Sequence, residues 1–251
     1  MGRLVENFKG WKDYCLDKNI SLEESVIEYE CEEKGANKEE ILAGLLKAYS
    51  VMKDAVKTGL EKDMKSNSGM IDNGAKKVFN HPLTVLSPEF QKLISRALAA
   101  KEVNSCMGRV VAAPTAGASG ILPGTMVTLQ EIHSLSDEQI VNGLLVGAGI
   151  ALIIEQRASL AGAVGGCQAE TGSAAAMASG AIVYCLGGNI DQVFTAVAVT
   201  IQCMLGLVCD PVAGLVEVPC VVRNASAASI AFSSAAVWQS YVPFLQYKNT
   251  S

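Results

Sequence analysis

Between Ile41 and Val56, apolar side chains recur three and four positions apart, at Ile41, Leu42, Leu45, Leu46, Tyr49, Met52 and Val56, with lysines and glutamates opposite. That spacing predicts an amphipathic helix that packs by one face. Its start is written in Asn37-Lys-Glu-Glu40, and an earlier start in Ser21-Leu-Glu-Glu24, because each places a capping side chain three residues before a glutamate. Gly35 stops the first of these helices. The Glu/Lys runs of residues 1–60 read as solvated faces, so this section is charged, helical and conventional.

From Leu60 to Asn80 the periodicity fades and Ser66–Gly74 is rich in turn residues, which predicts a loop with Lys76 and Lys77 at its exit. Two exposed lysines there serve solubility, with a substrate role as the lesser alternative. Ser87 before Pro88 caps a helix running to about Met107. Val110–Gly124 then departs from any helical pattern until Ile121: Pro114, Gly117 and Gly120 break the backbone, and Thr115 and Ser119 stand where the next helix begins. Such a turn offers N–H groups and hydroxyls to an anion such as a carboxylate, although an ordinary capped turn is the plainer reading. Ser136-Asp-Glu-Gln139 opens a helix to about Arg157; Gln168–Leu186 and Ile190–Gly206 form two more, and helix resumes near Val221. Strand signals are weak and no linker divides the chain. The expectation is one all-α domain over residues 1–251, with Gly/Pro-rich loops between its helices.

Half the residues are hydrophobic but only 6% are aromatic, so the core must be built from small side chains that let helices approach closely. A net charge of −5 argues against a nucleic-acid partner. Two runs, Ile140–Ile154 and Val193–Cys209, are apolar, but Asn142 and Gln202 interrupt them and neither reaches the roughly 20 clean residues that span a bilayer. Buried helices explain them better than a membrane. Neither a G-x-G-x-x-G nor a phosphate-loop pattern is present. With eight cysteines and no signal segment at Met1–Glu6, the expected setting is the reducing cytoplasm with free thiols.

Cys167, Cys209 and Cys220 sit beside Gly or Pro in breaks between apolar runs, whereas Cys185 and Cys203 fall inside helices and read as core. The three are too far apart for a C-x2-C clip, so three separate loops have to meet if the thiols act together. Three loop thiolates suit an iron–sulfur cluster that keeps one iron open as a Lewis acid. Three small buried hydrophobes fit the same spacing.

The words around them go further. Gly166-Cys-Gln-Ala-Glu-Thr-Gly172, Cys209-Asp-Pro-Val-Ala-Gly-Leu-Val-Glu-Val-Pro-Cys220 and Arg223-Asn-Ala225, with Met107-Gly-Arg-Val-Val-Ala-Ala-Pro-Thr-Ala-Gly-Ala-Ser-Gly-Ile-Leu-Pro123 upstream, resemble the α chain of the iron–sulfur-dependent L-serine dehydratases, in order from about Ser68 to about Phe232. The resemblance implies a lyase that converts L-serine to pyruvate and ammonia without pyridoxal phosphate. It implies a [4Fe-4S] cluster on Cys167, Cys209 and Cys220, with no later cysteine to supply a fourth thiolate, and a separate β chain that contributes to the active site. Arg223 and Asn224 follow Cys220 by about one helical turn, so they are expected to face the same space. With Thr115 and Ser119 they are the candidate substrate-binding residues, although Arg223 could equally pair with Asp210 or Glu217. Glu170 orients the site or caps a helix, and neither His81 nor His133 presents itself as the base. The rival readings are a pyridoxal-phosphate lyase, for which no cofactor-lysine context is evident, and a helical scaffold or membrane protein with no cluster. From Ser233 to Ser251 the sequence leaves the family pattern and becomes aromatic, at Trp238, Tyr241, Phe244 and Tyr247. This reads as a truncated tail, with a weakly held cluster and impaired catalysis as its expected consequence.

Overall fold

Every regular element among the residues described, 6–81 and 83–237 of a computed structural model, is helical, and the β-bridges Lys65–Asp72 and Val212–Leu215 are isolated. In chain order the helices are α1 (Phe8–Lys18), α2 (Leu22–Lys34), α3 (Lys38–Glu61), α4 (Gly74–Asn80), α5 (Pro88–Ser105), α6 (Ile121–His133), α7 (Asp137–Arg157), the single turn α8 (Gly162–Gly165), α9 (Ser173–Cys185), α10 (Ile190–Met204) and α11 (Glu217–Val237). A 3-10 turn at Ala116–Ala118 precedes α6, and a π turn at Gln168–Gly172 precedes α9. The all-α expectation holds. The capping boxes at Ser21, Asn37 and Ser136 form as their spacing requires, and Ser87 caps α5 with Pro88 at its first position.

Two helices organise the packing. Every residue of α9 from Ser173 to Val183 is buried, and it lies between α7 and α10. Helix α5 is the other centre, with α3, α4, α6 and α11 around it. Here the small-residue composition acts directly: a Cβ at Gly59 would stand 2.3 Å from the Ala99 carbonyl oxygen, and one at Gly124 would stand 2.7 Å from Ala97 Cα. Helices α3 and α6 therefore cross α5 at backbone contact. At the N-terminal end Trp11, fully buried, donates to Ser25 Oγ at 2.7 Å and packs its ring at a tilt against Phe194.

Helices α7 and α11 are long and apolar enough to cross a membrane by length and composition, with mean hydropathy 1.5 and 1.2. In the fold each contributes to the core, Ile140, Leu145 and Ile150 of α7 and Ala227, Ala228 and Ala231 of α11 being fully covered, while Val222 of α11 stays exposed.

Four local expectations are corrected. The Leu60–Asn80 segment contains helix α4, whose start has no side-chain cap to mark it. The helix expected from Gln168 opens as a π turn. Helix α11 begins at Glu217, so Cys220 lies in its first helical turn and not in a loop; Pro219 is tolerated because first-turn N–H groups need no intrahelical partner. Cys203 is exposed instead of buried, since the stripe of α10 facing the core runs through Val193, Val197, Thr200 and Met204 and leaves it outside. Helix α11 continues through Ser233 to Val237; Trp238 and the later aromatics of the tail lie outside the described residues.

Candidate active site

Cys167 is the residue immediately before the π turn, 4% exposed, and its carbonyl accepts the Thr171 hydroxyl at 2.7 Å. π turns of this kind recur at functional sites because they displace one residue from the helical register. Just before it Gly166 adopts φ +73°, and a Cβ there would lie 3.2 Å from both the Cys209 nitrogen and Val208 Cα. The π turn and the Cys209 loop are thus in van der Waals contact. They are also bonded: Gln168 donates its N–H to Leu207 at 2.8 Å, and its side-chain oxygen accepts the Gly206 N–H at 2.8 Å.

Helix α11 joins the remaining pieces through two successive side chains. Arg223 Nη1 donates to Cys167 Sγ at 2.9 Å and to the Val208 carbonyl at 2.8 Å. Asn224, fully buried, accepts the Gly120 N–H at 2.8 Å and donates to the carbonyls of Gly117 at 2.8 Å and Cys220 at 2.7 Å. The three cysteine segments and the Thr115–Gly120 turn therefore meet at one end of α11. Cys209 is exposed and Cys220 half-buried. Burial pushes the Cys220 thiol up, and Lys101, Cys167, Glu170 and Cys209 all lie within electrostatic reach of it, the lysine opposing the rise and the other three adding to it.

Thr115 and Ser119 flank the 3-10 turn as expected, but the seat differs from an N–H nest. The N–H groups of Ala118, Ser119 and Gly120 are taken by the carbonyls of Thr115 and Ala116 and by Asn224. The hydroxyls remain: Thr115 Oγ1 and Ser119 Oγ are buried and have no partner. Asn224 is placed differently from the expectation of a substrate contact, because both ends of its amide are spent on the protein. Arg223 pairs with neither acid closely. Asp210 stands 4.0 Å away, and Glu217 instead accepts the Ser68 hydroxyl at 2.6 Å, its other oxygen buried without a partner.

Of the two charged residues that complete the site, Glu170 was named from the sequence and Lys101 was not. Lys101, 6% exposed on α5, donates to the Ala116 carbonyl at 3.2 Å and to Asn104. Burial lowers its ammonium below the ordinary lysine value, against the attraction of Cys220, Glu170 and Glu217. Glu170 occupies a slot built from two glycines: a Cβ at Gly117 would sit 2.8 Å from its Oε1, and one at Gly162 would sit 2.3 Å from its Oε2. By contrast Lys76 pairs with Asp63 and Lys77 with Asp72, both at the surface. His81 bonds the Lys77 carbonyl.

Among the described residues no three His, Cys, Asp or Glu side chains close on a single metal ion. Three thiols from three segments, gathered at one helix end, are the donors that iron–sulfur clusters take. All eight cysteines are free.

An all-α fold that brings three cysteine segments, the glycine-flanked Glu170 and a buried lysine to one helix end defines the class. The family follows from comparison: residues 17–241 match the model of the serine dehydratase alpha chain, so the chain belongs to that family. The match extends beyond the Ser68–Phe232 resemblance at both ends. The chain is 41% identical to the L-serine dehydratase alpha chain of Peptoniphilus asaccharolyticus, over 92% of this chain and 82% of that one. It is 40% identical to a probable L-serine dehydratase alpha chain of Bacillus subtilis, over 92% and 78%. It is also 36% identical to the L-serine dehydratase of Streptomyces coelicolor, over 88% of this chain but half of that longer protein.

Proposed function

We propose that this chain is the α component of an L-serine dehydratase that removes water from L-serine and releases pyruvate and ammonia, with a [4Fe-4S] cluster on Cys167, Cys209 and Cys220. The observation that carries the reading is the junction made by Arg223 and Asn224, which gathers all three cysteine segments against the Thr115–Gly120 turn. When bound, the cluster supplies an open iron that takes the charge of the departing hydroxide.

The remaining roles fall to side chains. The unpartnered hydroxyls of Thr115 and Ser119 receive the substrate carboxylate, since a buried hydroxyl without a partner costs free energy that a ligand recovers. The buried free oxygen of Glu217 receives the ammonium group. Lys101, held by Ala116 and Asn104 and lowered by burial, takes the Cα proton at Nζ. Elimination then gives an enamine, whose imine tautomer is hydrolysed to pyruvate.

A partner and a setting complete the proposal. Relatives named as alpha chains, and longer relatives of which this chain spans half, support a β chain that contributes to the active site. Free thiols throughout suit the reducing cytoplasm. The test is pyruvate formation from L-serine by the anaerobically reconstituted chain, alone and with a companion β chain, before and after iron chelation. Turnover that survives removal of the iron contradicts the proposal.

A further inference from the structure

We propose that Arg223 is a positioning residue for the cysteine ligands and does not grip the substrate; this rests on the cluster reading above. One guanidinium touches all three ligand segments. It stands three residues after Cys220, bonds the sulfur of Cys167 at 2.9 Å, and bonds the carbonyl of Val208, the residue before Cys209, at 2.8 Å.

The Cys209 loop needs such a fastener. Leu205, Val208, Cys209 and Val212 are all exposed, and besides Arg223 the loop is tied to the π turn through Gln168. Gly166 lets the two segments touch, but contact alone does not fix register. The Arg223 side chain is 18% exposed, whereas the Asp210 side chain is 76% exposed and 4.0 Å away, so that ion pair is weak and does not hold the arginine. Both Nη1 hydrogens are already committed, to a sulfur and a carbonyl, which closes the Nη1/Nη2 fork to a carboxylate and leaves only the Nη2/Nε edge. A hydrogen bond to a ligating sulfur is also one of the levers by which a protein sets the electronic properties of an iron–sulfur centre.

The test compares the full chain with Arg223→Lys and Arg223→Ala, each reconstituted anaerobically with ferrous iron and sulfide in the presence of a companion β chain. Iron and acid-labile sulfide retention, the electron paramagnetic resonance spectrum of the reduced cluster, and the serine KM of the loaded fraction are read together. The expected result is iron retention weakened about 10-fold or more in Arg223→Ala, as for other residues behind metal ligands. Arg223→Lys is expected to be intermediate, because lysine keeps the charge but not the planar fork. Both variants should show an altered spectrum and an unchanged KM. A purely structural arginine would leave the spectrum of whatever cluster does load unmoved. If the variants load like the parent with the same spectrum and a raised KM, Arg223 is a substrate residue and this proposal fails while the cluster reading stands. If the parent itself takes up no iron and sulfide, the cluster reading fails and this proposal with it. Should Arg223→Ala not fold by circular dichroism, the lysine variant decides.

Discussion

The Asn224 side chain accepts the backbone N–H of Gly120 at 2.8 Å across 104 residues of sequence, and this bond fixes the Thr115–Gly120 turn to the helix that carries Cys220. The same amide donates to Gly117 and Cys220. Asn224→Asp keeps the acceptor but loses both donations, and it places a charge in a fully buried site. The expected loss is about 1–3 kcal/mol for the Gly117 carbonyl left unpaired, since Cys220 keeps its helical partner, and the buried charge adds to it. Asn224→Asp should therefore unfold at lower urea than Asn224→Gln. Equal midpoints would show that the clamp contributes little.

Lys101→Met keeps the length of a buried apolar stem but removes the amine. Turnover should fall by about 10²- to 10⁴-fold, the range of a lost acid–base group. Iron and sulfide content should not change, because Lys101 has no bond to a cysteine. Full turnover in Lys101→Met would assign the proton to another group.

Glu170 fills the space that Gly117 and Gly162 leave open, so Gly162→Ala forces a methyl against its carboxylate, 2.3 Å from Oε2 before relaxation. Overpacking of this kind costs typically about 1–3 kcal/mol. The double variant Gly162→Ala with Glu170→Ala should recover much of that loss. Additive losses in the pair would mean the slot is not the cause.

Glu102 is 1% exposed, with Oε1 accepting the Ala75 N–H at 3.0 Å and Oε2 unpartnered. Burial is the largest influence on it and raises its carboxyl above the ordinary value of 4.5. An acid with a raised folded-state pKa holds its proton more tightly when folded. Its cost is absent below pH 4.5 and accrues as pH rises from 4.5 through the folded pKa. Glu102→Gln should therefore gain on the parent in urea stability as pH rises across this window. A difference that does not change with pH would contradict the assignment.

Much of the fold was legible because its rules are local. Ser21, Asn37 and Ser136 each satisfy orphan N–H groups within three residues, and the Ala/Gly composition states how closely helices can cross. What failed to show was set from a distance. Lys101 and Glu102 look like the polar face of an amphipathic helix; only the arrival of α11, α4 and the Ala116 turn buries them. Their one local signal is a charged pair inside Ala97-Leu-Ala-Ala100 and Val103. Arg223 and Asn224 were placed correctly near Cys220, but their partners, Cys167, Val208, Gly117 and Gly120, lie 15 to 107 residues away. Nothing in their own spacing says whether they face a ligand or hold the wall of the site. Cys203 shows the converse: an apolar helix was legible, but which face it covers depends on its neighbours.

The most direct test of the central claim is anaerobic iron and acid-labile sulfide analysis of the purified chain and of Cys167→Ser, Cys209→Ser, Cys220→Ser and Cys203→Ser. The expected result is iron and sulfide in equal amounts in the parent and in Cys203→Ser, whose thiol points to solvent, with both lost from the other three. Iron and sulfide absent from the parent, or retained undiminished in Cys209→Ser, would contradict it.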